Sequence, residues 1–599
     1  MKQMRAVSLK KWIFLCFLTS FLASKGLADM TIAKRGKAVA KVVVAAEASE
    51  TEKYAAGELS FFLHILTGGD FPVSQEASAD RGRLLVGEGA ARLADPNFAA
   101  AELGKEGILL RTVGSDLILA GGSARATLYA VYTLLEDVIG CRWWTSTASF
   151  IPWKKTLKIK PLLIRYTPWL EYREPFWFVA FDPVWDARNR ANGVRAGGDD
   201  IQGGRHIYEG FVHTFYPLIP PEKYFAAHPE WFSETNGQRT SQNAQLCLTN
   251  EEMRRELVKN LRERLRLNPQ ATIASVSQND CFNNCTCPRC RAVDEEEGSP
   301  SGSLLRFVNA VAAEIEPEFP SVVIDTLAYQ YTRKPPLLTR PRPNVIIRLC
   351  SIECSFSQPL NGERNKAFFE DLQGWSKIAD RLFIWDYTTN FAHYIQPHPN
   401  YEVLGPNILL FLEHKVRGIF EQGAYQSPGA EMAEFRAWLL AKLLWKPWLD
   451  SQALRLEFLK GYYGPAAGYV SDYMALLERA VQASGDHLGC YSPPDAKFLS
   501  LDTILRAWAI LKKAENRVKG TLEYARRIRS VQMPLAYAVL VRWDDFQKKA
   551  SKKNLAWPWP QTRQEWLDWF LQAARAEKVT MISEGQTLDD WAAKGGKSR

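Results

Sequence analysis

Residues 272–280 read TIASVSQND and run directly into CFNNCTCPRC at 281–290. An alternating apolar run breaks on Gln278-Asn279-Asp280, and four cysteines follow at once. A strand that ends on polar and acidic side chains and opens into a loop is what a (β/α)8 barrel places at its catalytic rim. Seven more runs of this form lie on either side, at 177–182, 211–216, 245–250, 322–331, 345–354, 382–387 and 416–423. Helical periodicity fills the intervals, as in Met253/Leu257/Leu261/Leu265, Leu304/Val308/Val311/Ile315 and Phe368/Leu372/Trp375/Ile378, and again over 431–445. Strands alternating with helices predict an α/β fold with a parallel sheet, and eight repeats predict a TIM-type barrel over 166–449. One repeat is defective. Between the fifth and sixth strands lies only KPPLLTRPRPN (334–344), too short and too proline-rich for a covering helix. The fifth helix is therefore expected to be missing.

Ahead of the barrel, residues 29–165 mix short strands with two helical patterns and read as an α+β accessory domain. The first pattern, from Glu52 to Leu66, ends at Thr67-Gly68-Gly69, and the second, from Leu128 to Val138, stops at Gly140. Residues 107–120 read as strands turning at Gly114-Ser115. Residues 450–599 are helical in pattern and form the C-terminal region.

Residues 1–28 carry Lys2, Arg5, Lys10 and Lys11, then an apolar run from Trp12 to Ala23, then Gly26-Leu27-Ala28. This is the order of a secretory signal peptide, with cleavage near Ala28 and export to the periplasm or the medium. The run is shorter than the roughly 20 apolar residues of a membrane span, and no membrane span is expected. Loss of that segment removes five basic and no acidic residues, so the formal charge falls from +9 to +4. No basic tail or Lys/Arg run argues for nucleic acid. The aromatic fraction is 12%, with 20 Trp. Core packing takes most of these rings, and the surplus suits stacking on sugar faces.

If the runs are barrel strands, their C-terminal ends assemble one rim. Asn279 and Asp280 sit there, with Glu353 in SIEC, Asp386 in IWDYTTN and Glu421 in IFEQG. His213, Tyr329, Tyr331, Trp385, Tyr387 and Asn390 are the candidates for substrate contact. Two carboxyl groups across a glycosidic bond suffice for hydrolysis, one as acid and the other as base or nucleophile. Asn279 beside Asp280 also suits substrate-assisted cleavage of an N-acetylhexosamine, in which the sugar's own acetamide is the nucleophile. The bland alternatives are that Asn-Asp caps a turn, and that Glu353 and Asp386 form salt bridges with Arg173, Arg188 or Arg348.

Cys281, Cys285, Cys287 and Cys290 are spaced C-x3-C-x-C-x2-C within one loop. Zinc sites usually bring two pairs from separated segments, and the C-x-C is hard to place at two tetrahedral vertices. In an exported protein the expectation is one or two disulfides bracing the loop, with a structural metal on the same four cysteines as the alternative.

Several stretches together resemble a known family. They are SVSQND, CTCPRC, EGSPSGSLLRFVN, TLAYQYTRKPP, RLCSIEC, IWDYTTNF and GIFEQGAY, preceded by AAGELSFFLHILTG and TLYAVYTLLEDVIGCRWW. The resemblance is to a bacterial domain-of-unknown-function family, number 4838, some of whose members are placed in glycoside hydrolase family 163. It spans most of residues 40–470. It implies an N-terminal domain like that of α-glucuronidases and β-hexosaminidases, and a glycosidase barrel. Family 163 relatives are endo-β-N-acetylglucosaminidases that cut the chitobiose core of N-glycans with retention, and Asn279-Asp280 is similar to the adjacent pairs of substrate-assisted enzymes.

The expectation is an exported glycoside hydrolase acting on an N-acetylglucosamine-containing oligosaccharide or glycoprotein glycan, with no cofactor. Asp280 or Glu353 would be the acid, and Asn279 would orient the acetamide. The alternatives are an inverting α-glucuronidase-like exo-hydrolase using Glu353 and Asp386, and a non-catalytic glycan-binding protein on a degenerate barrel.

Overall fold

The computed structural model describes residues 28–75, 82–193, 201–560 and 562–596. The expected signal segment at 1–27 lies outside them. Two compact units are formed. The first comprises the chain up to Pro168 with Asp182–Arg190 and Gly197–Gly204, and the second comprises the remainder to the C-terminus.

In the first unit, a six-stranded sheet includes Lys41–Val44, Arg83–Val86, Ile108–Val113 and Asp116–Gly121. The last two form the expected hairpin, turning at Gly114 with φ +59°. The helix Glu50–Thr67 starts on a capping box, in which Ser49 accepts from the Glu52 amide and the Glu52 carboxylate accepts from the Ser49 amide. It ends at Gly68 in the left-handed region that glycine adopts without strain. A second helix, Ala124–Thr133, runs on as a wider-wound turn, Leu134–Ile139, and stops at Gly140. The short helix Pro183–Arg188 belongs to this unit, where Arg188 pairs with Glu58 at 3.0 Å.

The second unit is built on seven parallel strands: β1 Tyr172–Glu174, β2 Tyr208–Glu209, β3 Ile273–Ser275, β4 Val323–Ala328, β5 Val345–Cys350, β6 Leu382–Tyr387 and β7 Gly418–Gln422. Their order across the sheet is β1-β7-β6-β5-β4-β3-β2. The two edge strands meet: the Tyr172 and Tyr208 rings are 6.3 Å apart in a T-shaped arrangement, and the His206 ring donates through Nε2 to the Glu171 carbonyl at 2.8 Å. The sheet is therefore curled on itself as a barrel wall. Helices α1 Glu251–Leu267, α2 Pro288–Glu297, α3 Ser301–Ile315, α4 Lys366–Ile378 and α5 Leu404–Glu413 occupy crossovers between strands, and α6 Ala433–Trp445 follows β7. Parallel strands need a long crossover connection to return the chain to the same end of the sheet, and a helix is its usual form.

Three of the expected strands are displaced. Residues 177–182 hold a short 3-10 turn, Phe178–Phe181, because β1 has already ended at Glu174. Residues 211–216 follow β2 rather than form it. Residues 245–250 contribute only a bridge between Phe232 and Leu246, so β2 pairs directly with β3. The missing fifth helix is as expected: between β4 and β5 only the 3-10 turn Gln330–Thr332 forms.

Helices from Ser451 onward complete the second unit, and a hairpin, Met581–Ser583 with Gln586–Thr587, lies near its end. That hairpin is laid on the loops after β6 and β7. The Tyr394 amide donates to the Ile582 carbonyl at 2.9 Å, the Glu584 amide to the Phe391 carbonyl at 2.7 Å, and the Thr580 amide to Ser427 Oγ at 2.9 Å.

Candidate active site

Side chains alternate between the two faces of a strand, and the register of β5, β6 and β7 decides which of them enter the lumen. Arg348 stands opposite Phe383, Cys350 opposite Trp385, and Trp385 opposite Phe420, so these share one face. Arg348 identifies it as the lumen. Its guanidinium pairs with Asp325 of β4 at 2.6 Å, donates to the Tyr208 hydroxyl, and lies 4.8 Å from the Phe211 ring and 5.6 Å from that of Trp385. Burial raises the Asp325 carboxyl to about 6 against the pull of Arg348.

Above this floor the walls are aromatic. The Trp385 ring packs 4.6 Å from Phe420 and 6.3 Å from Tyr387, nearly parallel to the latter, and its indole donates to Gln422 Oε1 at 2.8 Å. Tyr329 directly follows β4, and its hydroxyl donates to Asp280 Oδ1 at 3.1 Å. Gln330 Nε2 donates to the same hydroxyl at 3.1 Å from a residue held at φ +52°. Burial, and then the Asp280 charge, push the Tyr329 hydroxyl up, so it stays a donor. His213, also left-handed at φ +54°, donates through Nδ1 to the Gln278 carbonyl at 2.8 Å, which leaves Nε2 as its acceptor.

A second carboxylate reaches this mouth from a segment that sequence reasoning passed over. Glu584 sits at the turn of the C-terminal hairpin and accepts from the Tyr425 hydroxyl at 3.1 Å and from Tyr491. Its side chain is solvent-exposed, but partial desolvation raises its pKa, the Tyr425 and Tyr491 hydroxyls pull it back, and the charge of Asp280 raises it further. Tyr491 is raised by burial, then by Glu584, and also by Asp280. Asp280, Tyr329, Tyr491 and Glu584 thus form one electrostatic cluster. The only available signal was the isolated SEGQ turn between two short polar-apolar runs, which names no partner 300 residues away.

The other expected residues fall elsewhere. Asn279 is spent on backbone: its amide nitrogen donates to the Ala244 carbonyl at 2.8 Å and its Oδ1 accepts from the Tyr216 amide at 3.2 Å. Glu353 pairs with Arg333 at 2.9 Å, and Arg333 also holds Asp371 at 2.8 Å. The partner is Arg333 and not Arg173, Arg188 or Arg348, of which Arg188 pairs with Glu58 and Arg348 with Asp325. Asp386 and Glu421 stand opposite each other on β6 and β7, one residue out of phase with the lumen face. Both are buried on the outer side of the sheet. Asp386 accepts from Ser351 Oγ and from the Tyr387 amide. Asn390 is buried, donating to the Ser492 carbonyl and accepting from the Ala392 amide. Tyr331 lies beside Cys281 and Asp294.

The cysteines also regroup. None is bridged among the described residues. Cys281 stands apart, its Sγ accepting from Gln245 Nε2 at 3.3 Å. Cys247, from the failed third strand, takes its place beside Cys285, Cys287 and Cys290, and these four sulfurs lie within 4.8 Å of one another. The nearest approach to Cys247, 3.8 Å, is well outside the roughly 2.05 Å of a disulfide.

A curled parallel sheet with paired carboxylates and aromatic rings at its open end defines a barrel of the carbohydrate-active kind. Residues 143–475 match the model of a family described as a domain of unknown function, DUF4838, and the chain belongs to that family. Residues 22–134 match the N-terminus of glycosyl hydrolase family 67. The sequence matches no curated protein. A solved family GH115 4-O-methyl-α-glucuronidase, with specificity for decorated arabinogalactans, is similar at 10% identity and a TM-score of 0.61, over 92% of this chain and 77% of that one. A GH138 enzyme targeting pectin rhamnogalacturonan II is similar at 10% identity and a TM-score of 0.45, over 93% of this chain and 95% of the other. The first of these likenesses shows a shared fold. Among the described residues, no helix is long and apolar enough to cross a membrane.

Proposed function

We propose that this protein is an exported glycoside hydrolase that cleaves at an N-acetylglucosamine residue of a glycan by substrate-assisted, retaining hydrolysis. The observation that carries the reading is that Asp280, held by the Tyr329 hydroxyl at 3.1 Å, and Glu584, held by the Tyr425 hydroxyl at 3.1 Å, both stand at the open end of an aromatic lumen, where partial desolvation and the Asp280 charge raise the Glu584 pKa. A carboxyl of raised pKa near a second carboxylate suits the division of labour that glycosidic cleavage requires. Glu584 donates its proton to the leaving oxygen. Asp280, fixed by the Tyr329 hydroxyl, accepts from the acetamide N–H, and the acetamide oxygen attacks the anomeric carbon to form an oxazoline. Water then opens this intermediate, giving its proton to the Glu584 carboxylate. The basic-apolar-small order of residues 1–28 supports export.

The second reading is an inverting α-glucuronidase. It is favoured by the family 67 N-terminal match and by the shared fold with an enzyme of that activity. A uronate carboxylate needs a cation, however, and Arg348 is paired with Asp325 while Arg333 is paired with Glu353 and Asp371. Two carboxylates at the mouth would repel it. The test is to incubate purified protein with an aryl N-acetyl-β-glucosaminide, an N-glycoprotein and a glucuronoxylan oligosaccharide, and to weigh the products. Release at N-acetylglucosamine that is lost in Glu584→Gln and Asp280→Asn supports the first reading. Release of a uronic acid alone rejects it.

A further inference from the structure

We propose that Cys247, Cys285, Cys287 and Cys290 hold a structural zinc ion that fixes the loop carrying Asp280. A regular tetrahedron of thiolates with Zn–S bonds of about 2.3 Å has sulfurs about 3.8 Å apart. Cys247 Sγ lies 3.8 Å from Cys287 Sγ and 3.8 Å from Cys290 Sγ, and all four ligand atoms lie within 4.8 Å of one another. The four are buried, with exposures of 1, 5, 3 and 2% in chain order.

The C-x-C spacing that argued against a tetrahedral site is accommodated by the residue between. Thr286 is tied down twice, its amide and its hydroxyl each donating to the Glu234 carbonyl at 2.8 Å, so the chain turns there and both flanking sulfurs converge. Cys287 occupies the N-cap position of α2 and Cys290 lies in its first turn, so one helix end presents both sulfurs. The surroundings also suit a charged tetrathiolate. The Glu234 amide donates to Cys285 Sγ at 3.3 Å, Arg239 Nη1 donates to it at 3.5 Å, and the Thr249 hydroxyl lies 3.2 Å from Cys290 Sγ. Such outer donors orient ligands and offset their charge. On binding, each thiol gives its proton to solvent as its sulfur bonds the metal.

The site joins two segments that also hold the rim. Two residues before Cys247, the Gln245 side chain accepts from the Asn279 amide at 2.9 Å and donates to the Asn279 and Cys281 carbonyls at 2.9 and 2.7 Å. A metal clamp at Cys247 therefore fixes the base on which Asp280 stands.

The experiment uses the full chain, produced without added reductant and passed over a chelating resin. Metal is measured by mass spectrometry of the elements, and cysteine oxidation by the intact mass under denaturing, non-reducing conditions. The expected result is one zinc per chain with these cysteines unoxidised. After exchange with Co2+, the visible bands and the near-ultraviolet thiolate charge transfer of a tetrahedral tetrathiolate should appear. Cys281→Ser should keep the full metal content, and Cys247→Ser should lose it. A metal-free chain lighter by the hydrogens of one or two disulfides overturns the proposal. So does a Cys281→Ser variant that loses its zinc, or a cobalt spectrum without tetrathiolate character. The last two readings do not depend on Cys247→Ser folding.

Discussion

The Tyr329 hydroxyl donates to Asp280 Oδ1 at 3.1 Å, joining the end of β4 to the loop after β3. A hydrogen bond to a charged group is worth about 1.5–3 kcal/mol. If Asp280 holds the reacting acetamide, Tyr329→Phe should lower kcat roughly 10–100-fold with a smaller change in KM. Asp280→Asn should cost more than that. Steady-state rates on an aryl N-acetyl-β-glucosaminide measure both, and equal rates in parent and Tyr329→Phe would remove Tyr329 from the mechanism.

The Glu584 pKa is raised, first by partial desolvation and also by the charge of Asp280. As an acid it must be protonated, so activity should fall as pH rises through its elevated pKa. Glu584→Gln should abolish that alkaline limb and lower kcat by about 10²–10⁴-fold on natural glycans. Substrates with good leaving groups, which need no protonation, should lose far less. A pH–rate profile of the variant that keeps the alkaline limb assigns the acid to another group.

Asp386 and Glu421 face each other across adjacent strands in a dry layer, and Glu421 Oε2 finds no hydrogen-bond partner among the described residues. Burial raises Asp386 from 3.8 to about 6, and burial followed by the Asp386 charge raises Glu421 well above its usual range. Both therefore keep protons to higher pH when folded than when unfolded. Their contribution to stability is fully present below pH ~4 and is lost as pH rises through the elevated pKa values, about 6 for Asp386. Glu421→Gln should raise the melting temperature at pH 8 and leave it nearly unchanged at pH 4. Equal shifts at both values would show that the pair does not share a proton.

Arg348 and Asp325 are a fully buried ion pair beneath the aromatic walls. Removing one partner strands the other, so Arg348→Met should destabilise the second unit by about 3–5 kcal/mol. Adding Asp325→Leu should recover most of that loss. Urea unfolding of the two variants decides it: a double variant no more stable than the single one would mean that packing, not charge, carries the effect.

Strand-and-helix alternation from Ile273 to Trp445 was legible because each parallel strand, buried on both faces, reads as an apolar run, and each covering helix repeats at 3.6 residues. The absent fifth helix was legible too, because prolines forbid it locally. The first three strands were not. β1 and β2 are only three and two residues long, and their apolar neighbours Phe178 and Phe211 serve the aromatic packing after the strands. At the rim, the positions of Asp280 and Tyr329 after their strands were legible from the sequence, and the structure joins them by a hydrogen bond. Asp386 and Glu421 were misread because their strands place them one residue out of phase with the lumen, and a single step in a strand turns a side chain to the opposite face.

The sequence by itself determined the class of fold, since apolar period and proline placement are local properties of the chain. It also determined that Asp280 follows a strand and that cysteines cluster behind it. Only the tertiary structure decided which partners these residues meet. Glu584 joins Asp280, and Cys247 replaces Cys281, across separations of 304 and 34 residues that no local pattern records. The reason is physical: a carboxyl pKa and a metal tetrahedron depend on distances in space, which the packing of the C-terminal hairpin and the failed third strand alone set.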